Sequence, residues 1–98
     1  MNKSYNRVSF KHNVKDVKGR LTSQHDAISQ MLDIFKDINY KVVAFKLTSF
    51  SSLDAESYFI VDIENNSSAP ILYEKLHELF YNISSITPLN NPDDIGKW

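Results

Sequence analysis

Ninety-eight residues and 11.3 kDa make one domain with a single core, because a chain of this size buries enough apolar surface to fold without staples. A hydrophobic fraction of 42% excludes the weakly apolar disordered class, and the lack of cysteine excludes a disulfide framework, a thiolate zinc site and a thiol nucleophile. The formal net charge of −1 is unevenly spread: residues 1–20 carry six Lys or Arg and one Asp, whereas residues 51–98 carry eight acids and two Lys.

The opening stretch MNKSYNRVSF has charge but no apolar run of the kind a secretory signal needs. No aliphatic or aromatic run approaches the ~20 residues of a membrane helix. A cytoplasmic protein with no membrane partner is expected, and the formal glycosylation sequons at Asn66 and Asn82 are read as chance. The basic N-terminal segment lacks interleaved aromatics and the acidic second half repels phosphate, so nucleic acid is not an expected partner.

Along the chain, Val8 and Phe10 alternate with Arg7, Ser9 and Lys11, which predicts a half-buried strand over roughly residues 5–13. The polar stretch VKDVKGRLTSQHD, with one of the two glycines, reads as a loop. Thr22, Ser23 and Asp26 are candidate helix caps, and Ala27, Ile28, Met31, Ile34, Phe35 and Ile38 recur at helical spacing, strongest over 24–37. Asn39 suits a left-handed stop. The β-branched and aromatic run YKVVAFKLTSF predicts a second strand with Val43, Phe45 and Leu47 on one side.

After a turn in SSLDAES, Tyr58–Glu64 predicts a third strand with Phe59, Val61 and Ile63 on one face and Tyr58, Ile60 and Asp62 on the other. Being apolar on both faces over most of its length, it belongs inside a sheet. Ser67 and Ser68 are cap candidates for a second helix that begins near Pro70 and carries Ile71, Leu72, Leu76, Leu79, Phe80 and Ile83 to about residue 83. SSITPLNN leaves room for a short last strand, which Pro88 confines to an edge or a strand end. NPDDIGKW reads as a linker or docking arm, with Ile95 and Trp98 lacking an assigned core.

The order β-α-β-β-α-β is the split βαβ pattern, an α+β, ferredoxin-like sandwich in which two helices cover one face of a four-stranded antiparallel sheet. The other face, expected to bear Val42, Ala44, Tyr58 and Ile60, is more apolar than solvent favours, so contact with another copy or another domain is expected there.

With this order, the phrase SYFIVDIENN, Ser57–Asn66, resembles the third strand of the ACT domains of prephenate dehydratases and aromatic amino-acid hydroxylases, where an aromatic-rich run ends in a similar Val-Asp-Ile-Glu phrase. The likeness covers about residues 5–89, leaving 90–98 as a tail. It implies a non-catalytic regulatory module that forms homodimers and is part of, or a partner to, an enzyme of amino-acid metabolism; the residues themselves give no expectation of a cofactor or metal. It also implies a small amino acid bound where the first loop and helix of one copy meet the neighbouring copy's sheet. In such domains a glycine in that loop lets the ligand approach the backbone, and the helix N-terminus favours its carboxylate.

Two registers are open for the loop. In one, His25, Asp26, Ala27 and Ile28 stand where the ligand motif lies, without a glycine and with an acid that repels a ligand carboxylate. In the other, Val14–Leu21 resembles the Asp-x-Pro-Gly-Arg-Leu opening of many ACT domains, with Lys18 in place of proline. The second makes Gly19, Arg20 and Leu21 the ligand loop, with Thr48 as a polar contact. The Glu-Ser-Arg-Pro phrase of phenylalanine-sensing dehydratases falls on Lys46, Leu47, Thr48 and Ser49, so the ligand motif is degenerate.

Other constellations have plainer explanations. His25 beside Asp26 reads as a neighbour of a helix cap, and His77 between Glu74 and Glu78 as a surface helix residue. Asp62 and Glu64 share one face and could serve acid–base chemistry, but more simply mark a charged strand end. No nucleophile elbow, phosphate loop or His-Glu-x-x-His motif is present in the chain, which is not expected to be an enzyme. An RNA-recognition domain shares the element order, yet DAESYFIVDI has acids where its basic residue and glycine should stand. The alternative from another class is an adaptor or inhibitor that binds a macromolecule through the open sheet face.

Overall fold

A computed structural model of the chain describes residues 4–13, 23–65, 69–80 and 82–98. Its elements are β1 (Ser4–His12), α1 (Gln24–Asp37), β2 (Lys41–Ser51), β3 (Glu56–Asn65), α2 (Ala69–His77) and β4 (Asn82–Leu89), followed by a 3-10 turn at Pro92–Asp94. The strands form one antiparallel sheet in the order β2-β3-β1-β4, so the expected ferredoxin-like α+β architecture is the one observed. β3 lies inside the sheet, and β4, with Pro88, is an edge strand.

Both helices lie on the same side of the sheet. Val8 and Phe10 of β1 pair directly with Val61 and Phe59 of β3, and with Ile63 they share one buried cluster with Ala27, Met31 and Phe35 of α1 and Leu72 and Leu76 of α2. Phe10 is the hub. Its ring centroid lies 4.1 Å from that of Phe80, 5.6 Å from Phe59 and 6.0 Å from Phe35, the offset and tilted arrangements that aromatic quadrupoles favour. The buried row on β1 continues at both ends into polar residues, Asn6 and His12. Asn6 Nδ2 donates to Asn65 Oδ1 at 2.8 Å, which satisfies a polar pair at the core margin.

Local chemistry sets the ends of α1. The Ser23 hydroxyl accepts the Asp26 N–H at 3.1 Å, so Ser23 is the cap. At the other end Asn39 adopts φ 61°, Tyr40 N–H reaches Phe35 O at 3.0 Å and Asn39 N–H reaches Lys36 O at 3.1 Å. These are the two closing bonds of a Schellman turn, and Tyr40 packs back on the core.

The structure corrects the expected elements and faces in two places. α2 stops at His77, and Ile83 belongs to β4, where it pairs with Phe10. The spacing of Leu76, Leu79, Phe80 and Ile83 fits a helix, but pairing with β1 uses the β-branched run Asn82–Leu89 as an eight-residue strand. Val42 lies on the helix side, opposite Ile63 and packed against the core, because β2 shifts register between Val42 and Ala44 and again between Leu47 and Ser49. An extra residue at each bulge resets which side the next residue faces. Ala44, Tyr58 and Ile60 do occupy the helix-free face. Ser67 and Ser68 lie outside the described residues.

Candidate functional site

Among the described residues, two places bring polar and apolar groups from separate elements together. The first is a cleft of about 260 Å³ between the start of α1 and the end of β2, lined by Gln24, Ile28, Leu47, Thr48, Ser49 and Phe50. The cap at Ser23 fixes where α1 begins, and the second β2 bulge turns Thr48 outward at the sheet edge. The Thr48 hydroxyl donates to Tyr58 O at 3.1 Å, so its proton is used and its lone pairs are left to accept.

Of the residues expected to form a ligand site, the structure places Thr48 in this cleft, whereas Gly19, Arg20 and Leu21 lie outside the described residues. The competing segment His25–Ile28 is helical, with Ala27 buried in the core and Ile28 lining the cleft.

The second place was not legible as a site. Arg7 and Asp62 stand opposite each other on the helix-free face of the two central strands. Arg7 Nε donates to Asp62 Oδ1 at 2.8 Å and Nη2 to Oδ2 at 3.0 Å, a two-point fork of the kind that makes arginine–carboxylate pairs strong. Hydrogen bonding to Asp62 raises the Arg7 pKa above its ordinary value, against the effect of partial burial.

The C-terminal segment completes this pair. Gly96 N–H donates to Asp62 Oδ2 at 2.7 Å, Arg7 Nη2 donates to Asp94 O at 2.9 Å, and the guanidinium carbon lies 5.3 Å from the centroid of the Trp98 ring. Under this cover the Asp62 side chain has no exposed surface. The tail therefore docks on the sheet, and Asp62 is an interior charge rather than a strand-end guard. With Arg7 and Gly96 on its oxygens, Asp62 is not available as a general base.

Beyond the tail, the same face continues to Lys11, whose ammonium contacts Glu56 at 2.7 Å and lies 5.8 Å from the Tyr58 ring centroid. Tyr58 is 38% exposed.

The histidines divide by burial. His25 and His77 are exposed, and His77 stacks on Tyr73 at 5.6 Å, so both are surface helix residues. His12, which the sequence did not single out, is buried against Phe80 and Phe59, and its Nε2 has no hydrogen-bond partner among the described residues. Burial lowers its pKa to about 4, so the ring is neutral near pH 7. Its signal was positional: residue 12 continues the 6, 8, 10 alternation into the core.

Among the described residues, no group of three or more His, Cys, Asp or Glu is placed to hold a metal ion, and no helix is long and apolar enough to cross a membrane. Comparison with known proteins finds no matching family model, and no curated protein or solved structure with significant similarity.

Proposed function

We propose that the chain is a non-catalytic, ACT-like regulatory module that self-associates and holds a small amino acid in the cleft between α1 and β2. The observation that carries this reading is the meeting of Thr48 with Gln24 and Ile28 at the first turns of α1. Ile28, Leu47 and Phe50 offer an apolar wall for a side chain, while Gln24, Thr48 and Ser49 offer polar contacts. The positive end of α1 favours a carboxylate. The volume lies just under the ~300 Å³ at which small-molecule sites usually begin, which suits a ligand of amino-acid size. A second copy at the exposed β2 edge would deepen the cleft, and a ligand held better in the paired form would shift the balance toward it.

Calorimetry and thermal melting against the twenty amino acids test this proposal. One or a few ligands should raise the melting temperature and shift the sedimentation profile, and Ser49→Arg or Gly19→Asp should remove both effects. Silence toward all twenty at millimolar concentration would refute ligand sensing.

A second reading, an adaptor or inhibitor that uses the open sheet face, is favoured by the fact that this face accepts a polypeptide segment, the chain's own residues 94–98. An adaptor would respond in sizing experiments to a macromolecular partner and not to metabolites.

A further inference from the structure

The contacts that seat the C-terminal segment follow a pattern. Asp94 presents a carbonyl to Arg7, Gly96 presents an N–H to Asp62, and Trp98 lays its ring by the Arg7 guanidinium, so every second residue is read by the same ion pair. The pair offers donors and an acceptor together, which suits the backbone of a turn. Two further features restrict the sequence that fits. Gly96 has φ +76°, a conformation that L side chains rarely adopt; a Cβ there would make an ordinary 3.5 Å contact with the Ala44 Cβ, so the backbone conformation and not the space selects glycine. The Asp94 charge also acts favourably on Arg7.

We infer that Arg7, Asp62 and Ala44 form a peptide-recognition site on the helix-free sheet face, filled in cis by residues 94–98 and open in trans to a segment of the form acid-x-Gly-x-aromatic. The inference deepens the adaptor reading by naming the chemistry of its partner. It is independent of the ligand cleft.

Release of the cis segment leaves the core intact. None of residues 91–98 belongs to the buried cluster; Ile95 is half-buried and the others are exposed, with Trp98 at 43%. Such a segment opens locally without unfolding the sheet. The site it vacates keeps its shape, because the two Arg7–Asp62 hydrogen bonds join strands that are already paired. A partner segment then meets a preorganised fork, which lowers the ordering cost of binding.

The chain has one tryptophan, Trp98, which reports directly on the seat. Gly96→Val disfavours the left-handed conformation without altering Arg7 or Asp62. The expected result is a red-shifted Trp98 emission and several-fold greater quenching by acrylamide in Gly96→Val, with the sheet's amide resonances otherwise unchanged. The synthetic peptide NPDDIGKW, titrated into that variant, should move the Arg7 Nε–H resonance. The same peptide with its glycine replaced by valine should not.

Toward the unaltered chain the peptide should bind at least roughly ten-fold more weakly, because the cis segment competes at a high effective concentration. Trp98→Ala, which keeps Gly96 but removes the ring contact, provides an independent partial release. Equal quenching of Trp98 in the unaltered chain and Gly96→Val would overturn the cis seat. An unmoved Arg7 resonance at millimolar peptide in both released variants would overturn the trans site. The adaptor reading itself would stand or fall separately, on capture of a macromolecular partner by the Lys11–Tyr58 end of the face.

Discussion

Arg7 and Asp62 are fifty-five positions apart in sequence and form the fork that joins the two central strands, with Asp62 fully buried and Arg7 still 24% exposed. That asymmetry makes their deletions unequal. Arg7→Ala leaves a buried carboxylate with one remaining N–H donor and should cost about 3 kcal/mol, within the range for breaking buried pairs. Asp62→Ala leaves a guanidinium that can turn toward water and should cost about 1–2 kcal/mol. Urea unfolding of both variants at neutral pH checks the order, and a larger loss for Asp62→Ala would contradict it.

His12 gives the fold an acid sensitivity of known sign. Its pKa is lowered to about 4 by burial, against 6.5 for an ordinary histidine. Between these values the unfolded chain binds a proton that the native ring refuses, so stability falls as pH drops through this window and is fully restored above it. The full effect is up to about 3 kcal/mol. In His12→Leu the decline between pH 6.5 and 4 should shrink by that amount relative to the unaltered chain. Parallel pH–stability curves for the two proteins would exclude the assignment.

The turn after α1 depends on a residue that tolerates φ 61°. Asn39→Gly should leave stability unchanged or slightly raised, whereas Asn39→Ala should lose about 1 kcal/mol. Thermal denaturation of the pair measures the difference directly, and equal melting temperatures would argue against a strained closing turn.

Core and surface apolar residues should separate widely. Phe10 touches three aromatic rings and is 2% exposed, so Phe10→Ala should cost about 3–5 kcal/mol. Leu53, in the β2–β3 turn, is 88% exposed, and Leu53→Ser should stay within about 0.5 kcal/mol. Chemical denaturation of both variants tests whether Phe10 is the hub of the core.

Those residues also show what a linear sequence reveals. α1 was legible because the helical periodicity over about 24–37 and the stop signal at Asn39 agreed, with Ser23 one of three candidate caps. The inside position of β3 followed from its two apolar faces. The end of α2 was not legible, since Ile83 satisfies helical spacing while its partner, Phe10, is far away along the chain. The side on which Val42 lies was hidden by a bulge, which one strand's own alternation does not announce.

The proposed cleft between α1 and β2 was half legible. Thr48 was expected as a contact, but the joining of β2 to Gln24 and Ile28 is a product of packing. The Arg7–Asp62 fork needed the β1–β3 register before two opposite charges could be seen to meet. The tail's apolar residues gave the remaining clue: Ile95 and Trp98 had no place in a core, and Trp98 lies beside Arg7 on the sheet while Ile95 is half-buried.

The two irregularities in β2 bear on how the molecule behaves in a crowd. β2 runs for eleven residues along a sheet margin, long enough to serve as a template for accretion of further chains. The register breaks around Val43 and Thr48 interrupt that margin, so the regular stretch between them is confined to Ala44–Leu47. A newcomer strand would find only a few evenly spaced amides before the spacing failed, which curbs fibril-like growth along this border while leaving room for a short, specific handshake.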